Sequence, residues 1–150
     1  MSHREHGMTL VELVVVVVII AILASIAVPS YRGYVLRANR AEGRAALLAL
    51  ATAQEKFYLQ CNTYTTALSP DTATDCDTGN LRFPTSSERG YYDITVNAAD
   101  ASGWAGEAVA TGSSPQFYDA RCRRLGLTST GNMSAKTSAG TPNAGECWAR

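Results

Sequence analysis

Four sets of side chains in this chain are spaced to do more than fold. Glu12 is the only charge between Leu10 and Val28. A carboxylate at the edge of so apolar a stretch costs up to roughly 3 kcal/mol unless a cation meets it. No Lys or Arg lies within a helical turn of Glu12. The nearest cation is the amine that a cut after Gly7 would free on Met8, reached along one helix or between staggered chains. Cys61, Cys76, Cys122 and Cys147 form an even set suited to two disulfides, with three pairings open. The simplest joins Cys61 to Cys76 and Cys122 to Cys147, closing loops of 15 and 25 residue steps. Each such loop stabilises by roughly 3 to 4 kcal/mol on the chain-entropy account, and both need an oxidising compartment. Arg121, Arg123 and Arg124 flank Cys122. The cluster is a candidate for contact with DNA phosphates or a neighbouring subunit. Arginines on a strand are more often half solvated and half paired with carboxylates, and that reading is preferred here.

Asp75-x-Asp77-x-Gly79-Asn80, with Asp71 nearby, echoes a calcium loop, but Ser86 stands where the closing acid belongs. A hydrophilic turn is the preferred reading. Metal and cofactor chemistry find no support elsewhere. Both histidines, His3 and His6, precede Gly7, and there is no C-x-x-C pair. A chain cut after Gly7, with its thiols paired, has no Ser-His-Asp, Cys-His or zinc-hydrolase set. No phosphate-binding glycine loop appears. No carboxylate pair stands out for glycoside chemistry. The expectation is a protein that is not an enzyme, without metal or cofactor.

The elements that must carry these residues are unequal. Leu13 to Val28 holds sixteen residues without a charge, and Ser25 is its only polar side chain. As a helix it covers about 24 Å, and extension back to Met8 is enough to span a bilayer core of ~30 Å. Its twelve Val, Ile and Leu residues favour insertion by roughly 4 to 7 kcal/mol before Glu12 is counted. The β-branched run Val14 to Ile20 would suit a strand, but the stretch is too long and has no turn residue. A signal anchor, or a secretory signal cut near Ala24-Ser25-Ile26-Ala27, is the plainer alternative. Pro29 and Gly33 predict a kink or a locally melted turn. Beyond them the helix is expected to continue to about Leu59, roughly 52 residues and ~78 Å in all. A helix that long cannot be buried in so small a domain, so half of it needs another partner. Tyr34, Ala38, Ala41, Ala45, Leu48 and Thr52 form the stripe expected to pack on a sheet, and Arg37, Arg40 and Arg44 a solvated one. Cys61 to Arg89 reads as loop. Strands are expected at Tyr91–Val96, Trp104–Ala110 and Phe117–Thr128, with a turn at Thr130–Asn132.

Gly7, Thr9, Leu10, Glu12 and Leu13, set directly before the apolar helix, resemble the processing motif of the type IV pilin family, as a type IVa prepilin. Val11 stands for the usual Ile and Met8 for the usual Phe. The resemblance implies an α+β pilin fold: a long N-terminal helix, its first half in the membrane or fibre core, packed on a small C-terminal antiparallel sheet. It implies a leader at 1–7, a transmembrane and assembly helix at 8–29, and a globular domain outside the membrane at 30–150. Prepilin peptidase would cut between Gly7 and Met8 and methylate the new amine. Glu12, with Thr9 beside it, would set assembly registry by pairing with that amine. The further partners implied are other major and minor pilins, the inner-membrane pilus assembly platform and, for the precursor, the membrane itself. The two disulfides, the Tyr91-Tyr92 strand start and Cys147-Trp148 resemble PilE-like minor pilins, which serve pilus biogenesis, adhesion or twitching motility. The alternatives are a type II secretion pseudopilin, a DNA-uptake tip pilin, and a membrane-anchored binding protein that never polymerises.

The chain has 150 residues and no net charge, which excludes a strongly basic nucleic-acid binder and an acidic disordered tail at whole-chain level. The neutrality is a cancellation: +3 over Ser30–Gln60, −6 over Cys61–Ala120 and +4 over Arg121–Arg150, with Glu12 making up the difference. Separated charge of this kind suits lateral packing against copies or relatives of the chain.

Overall fold

A computed structural model describes residues 9–149. The chain divides after Val35 into two compact units. The helix α1, Leu10–Cys61, runs for 52 residues. Thr9 precedes it and its Oγ1 accepts from the Glu12 N–H at 3.2 Å, the first half of a Thr-x-x-Glu capping arrangement. Every large apolar side chain from Leu10 to Val28 is exposed. The segment is long and apolar enough to cross a membrane. The helix continues without interruption through Pro29, so the expected melted turn does not form. Proline removes one donor, the one that would have served the Ser25 carbonyl, and intact turns on either side carry the helix across.

In the unit that begins at Leu36, the buried stripe of α1 is Asn39, Arg40, Gly43, Leu47, Leu50, Gln54 and Phe57. The expected stripe, Tyr34 through Thr52, is exposed throughout. Apolar spacing pointed to the wrong face because the true one carries polar residues with buried partners. Gln54 donates through Nε2 to the Thr65 carbonyl at 2.6 Å and accepts from the Thr65 N–H at 3.2 Å. Gly43 lets the sheet come close: a Cβ there would stand 3.0 Å from both Leu125 Cδ1 and Tyr92 Cε2.

That sheet has four antiparallel strands in sequence order, β3 Tyr92–Ala99, β4 Trp104–Ala110, β5 Arg124–Thr128 and β6 Met133–Lys136. A separate parallel pair joins β1, Ala67–Leu68, to β2, Asn80–Leu81. Alternation governs β3, where Tyr92, Ile94 and Val96 are buried and Asp93, Thr95 and Asn97 exposed. With Leu125, Leu127, Ala135 and Ala108 they meet Leu47, Leu50 and Phe57 in one core. The α+β expectation holds, as do the first two strands within a few residues. The third does not: Pro115–Tyr118 is a 3-10 turn and the strand starts only at Arg124. Asp119 explains this, because its carboxylate takes the N–H groups of Arg121 and Cys122 and so withholds them from a ladder. The strand β6 and the short helix α2, Ala144–Trp148, had no counterpart in the sequence reading. The Thr130–Asn132 turn is present, with Gly131 at φ 76°. The disulfides are Cys61–Cys76, at the C-terminal end of α1, and Cys122–Cys147.

Candidate functional site

The segment before β5 is organised around one buried carboxylate. Asp119, 2% exposed, accepts from Arg40 Nε at 2.7 Å and Arg40 Nη2 at 3.0 Å. It also accepts from Gln116 Nε2 at 2.8 Å and from the Arg121 and Cys122 N–H groups, each at 3.1 Å. Arg40 comes from α1, 79 positions away in sequence. It was assigned above to a solvated stripe and is instead buried. Burial opposes the Arg40 charge, but the hydrogen-bonded Asp119 carboxylate, backed by Glu146, outweighs that and raises its pKa. Gln116 is fully buried and reaches the Leu36 carbonyl at 3.3 Å.

The three arginines separate in space, and only Arg124 lies in a strand. Arg121 projects outward with its side chain 73% exposed and its Nη1 3.1 Å from Glu146 Oε1. Arg123 lays its guanidinium 3.8 Å over the Phe117 ring and donates to the Phe117 carbonyl. Arg124 is 3.9 Å from Glu107 and half exposed. Its cross-strand neighbour is Lys136, also exposed. Each arginine thus has an internal contact, yet the surface keeps more cations than anions.

Behind this surface α2 is clamped. Cys147 and Cys122 are both buried. Asn143 Nδ2 donates to Glu146 Oε2 at 3.1 Å and to the Arg121 carbonyl at 3.3 Å. Trp148 Nε1 donates to the Ser134 carbonyl at 2.8 Å, and Arg44 to the Ala149 carbonyl at 2.6 Å. The Asn143 and Arg121 hydrogen bonds hold the Glu146 carboxyl below the usual carboxylate range. Glu42 is lowered too: burial opposes its charge, but Ser87 and the backbone and side chain of Arg89 prevail. A carboxyl lowered by folding binds its proton more readily when unfolded, so its contribution is present at neutral pH and lost on acidification. The melting temperature should therefore fall as pH drops from about 6 to about 3 through this carboxylate range. Glu146→Gln should flatten part of that fall in thermal melts followed across the interval.

Of the other residues singled out from sequence, Gly7 and Met8 lie outside the described residues. Thr9 and Glu12 sit together at the start of α1. Asp75 spends its carboxylate locally, accepting from the Asp77 N–H at 3.0 Å and the Thr78 hydroxyl at 2.9 Å. Sequence reasoning missed Asp119, Arg40, Lys136 and the exposed Tyr118. For Asp119 a signal existed: a carboxylate two and three residues ahead of Arg121 and Cys122 is the pattern of an Asx turn. Chemically, the surface combines cations with exposed aromatic rings, groups suited to contact with an anionic partner.

Comparison with known protein families gives two matches. Residues 2–28 match the prokaryotic N-terminal methylation motif. Residues 29–126 match a family described as type IV minor pilin ComP, DNA uptake sequence receptor. Among curated proteins none matches the chain. The methylation motif and the apolar helix behind it make the protein a membrane-anchored precursor, processed by prepilin peptidase and assembled with other pilins into a surface pilus. With the ComP family covering well over half of its length, from the end of that motif across most of the sheet, the chain belongs to the type IV minor pilins of the ComP family.

Proposed function

We propose that this minor pilin contacts DNA, and that Arg121, Arg123 and Arg124 carry the contact with Lys136 beside them. The observation that carries the reading is the match to a family described as a DNA uptake sequence receptor, since residues 29–126 include all three arginines. The geometry supports it. Arg121 and Arg124 hold their internal partners at a solvated surface, where such pairs contribute little and phosphates can replace them. The preference for purely structural pairing gives way for these two. Arg123, stacked on Phe117, keeps a structural share.

The test is filter binding of double-stranded DNA by the full chain in detergent, across a salt series, against a variant with all three arginines changed to Ala. Affinity should fall at least about tenfold, and the slope of log affinity against log salt should become shallower by about 1 for each phosphate contact removed. An unchanged affinity, or no binding by the parent, overturns the reading.

The assembly function rests on the other end of the chain. Cleavage after Gly7 and methylation of Met8 would give Glu12 its cation. A Glu12 that enters the fibre core without that amine leaves a carboxylate unpaired in an apolar medium, which penalises misplaced subunits.

A further inference from the structure

Phe117 and Tyr118 stand between two buried polar anchors. Gln116 on one side is fully buried, and Asp119 on the other nearly so. Their side chains are hydrogen-bonded to each other at 2.8 Å. Gln116 is also bonded to α1 at the Leu36 carbonyl, and Asp119 to α1 through Nε and Nη2 of Arg40. A chain pinned at both ends of a two-residue interval, and entered through Pro115, has little freedom left. The two side chains between the pins are turned outward. Tyr118 is 79% exposed. Its ring meets Phe117 only edge-on, with centroids 6.1 Å apart and planes at 85°. The Phe117 face is occupied by Arg123 at 3.8 Å. Tyr118 therefore has a free aromatic face on a turn held at both ends, three residues before Arg121 in the chain. It contributes little packing that would explain so exposed a ring.

We propose that Tyr118 is a base-contacting residue that stacks on an unpaired or exposed base of the DNA strand whose phosphates meet the arginines. The inference rests on the DNA reading above and adds to it a contact that depends on the base instead of the backbone. Cations flanking an aromatic ring are the elements with which proteins hold nucleic-acid strands: the charge follows the phosphates and the ring meets the π-face of a base. Arg123 serves the same end indirectly, because its seat on Phe117 orients that ring edge-on to Tyr118. Asp119 and Arg40 are positioning residues for Tyr118, since they hold the turn that displays it.

The experiment uses the full chain in detergent with a single-stranded DNA 20-mer and a sugar-phosphate oligomer of the same length without bases. Tyr118→Ala should weaken binding of the 20-mer by about five- to thirtyfold, the range expected for losing one stacked base. Binding of the baseless oligomer and the salt slope should stay as in the parent. Tyr118→Phe keeps the ring and should restore the affinity. The melting temperature of Tyr118→Ala should match the parent, which separates loss of contact from loss of fold. Equal binding of the 20-mer by Tyr118→Ala and the parent overturns the proposal, as do equal losses on both oligomers. In those cases the parent still binds, and the DNA reading survives on its arginines. A parent that binds neither oligomer nor duplex overturns both.

Discussion

Asp119→Ala should lower the unfolding free energy by about 3–5 kcal/mol, the usual result of removing one partner of a buried ion pair. That is a large share of the roughly 5–15 kcal/mol that ordinarily holds a domain folded. The reason is less the lost attraction than what remains. Arg40, with only 7% of its side chain exposed, would keep its charge without its partner, and Glu146 at 3.6 Å is too distant to take over both donors. The Arg121 and Cys122 N–H groups and Gln116 Nε2 would lose their acceptor in the same step. Asp119→Asn keeps the shape and one acceptor oxygen and should cost less. Replacing both partners with apolar residues, Arg40→Met with Asp119→Leu, should cost much less than Asp119→Ala alone, because no buried charge is then stranded. Urea unfolding of the full chain in detergent, followed by near-ultraviolet circular dichroism with the disulfides intact, reads all of these. A loss below about 1 kcal/mol for Asp119→Ala, the size of an exposed pair, would mean the pair is solvated.

Glu12→Ala should leave the precursor in the membrane at its normal level and abolish its incorporation into filaments. Insertion is governed by the apolar sum of the segment, and deleting the one carboxylate makes that sum more favourable. Incorporation, on the reading proposed here, needs the carboxylate to meet the amine on Met8, and alanine leaves that amine without its partner in the fibre core. The Thr9–Glu12 contact permits a control: the bond is accepted by the threonine hydroxyl from the Glu12 backbone, so Glu12→Ala keeps that cap and the helix start with it. Immunoblots of membrane and sheared-filament fractions distinguish the outcomes. Normal amounts of Glu12→Ala in filaments would remove Glu12 from assembly registry.

The apolar half of α1 and the strands at Tyr92 and Trp104 were legible because they depend on local order. Sixteen uncharged residues add up to a membrane-compatible helix whatever follows them, and alternation over Tyr92–Val96 declares a half-buried strand by its own period. The stripe of α1 that packs on the sheet was not legible. Ala38, Ala41, Ala45 and Leu48 have the better apolar spacing, yet the buried residues are Arg40, Gly43, Leu47 and Leu50. Neither Arg40 nor Gly43 scores as core on its own. Gly43 is there for the close approach of Tyr92 and Leu125. Arg40 is there because of a carboxylate 79 residues away.

The arginine surface was half legible. Three cations around a cysteine are visible in any reading of Arg121 to Arg124. Their separation into an outward Arg121, a stacked Arg123 and a strand-borne Arg124 beside Lys136 required the turn at Pro115–Tyr118 and the pairing of β5 with β6. By itself, then, the sequence determined what sums over neighbours: the apolar segment, the motif at its head, the even cysteine count and the regional charges. Only the tertiary structure decided which polar side chains are buried and which cations face outward. A polar group goes inside only when a specific partner meets it there, and the partners of Arg40, Gln116 and Asp119 are brought together by folding and not by proximity in the chain.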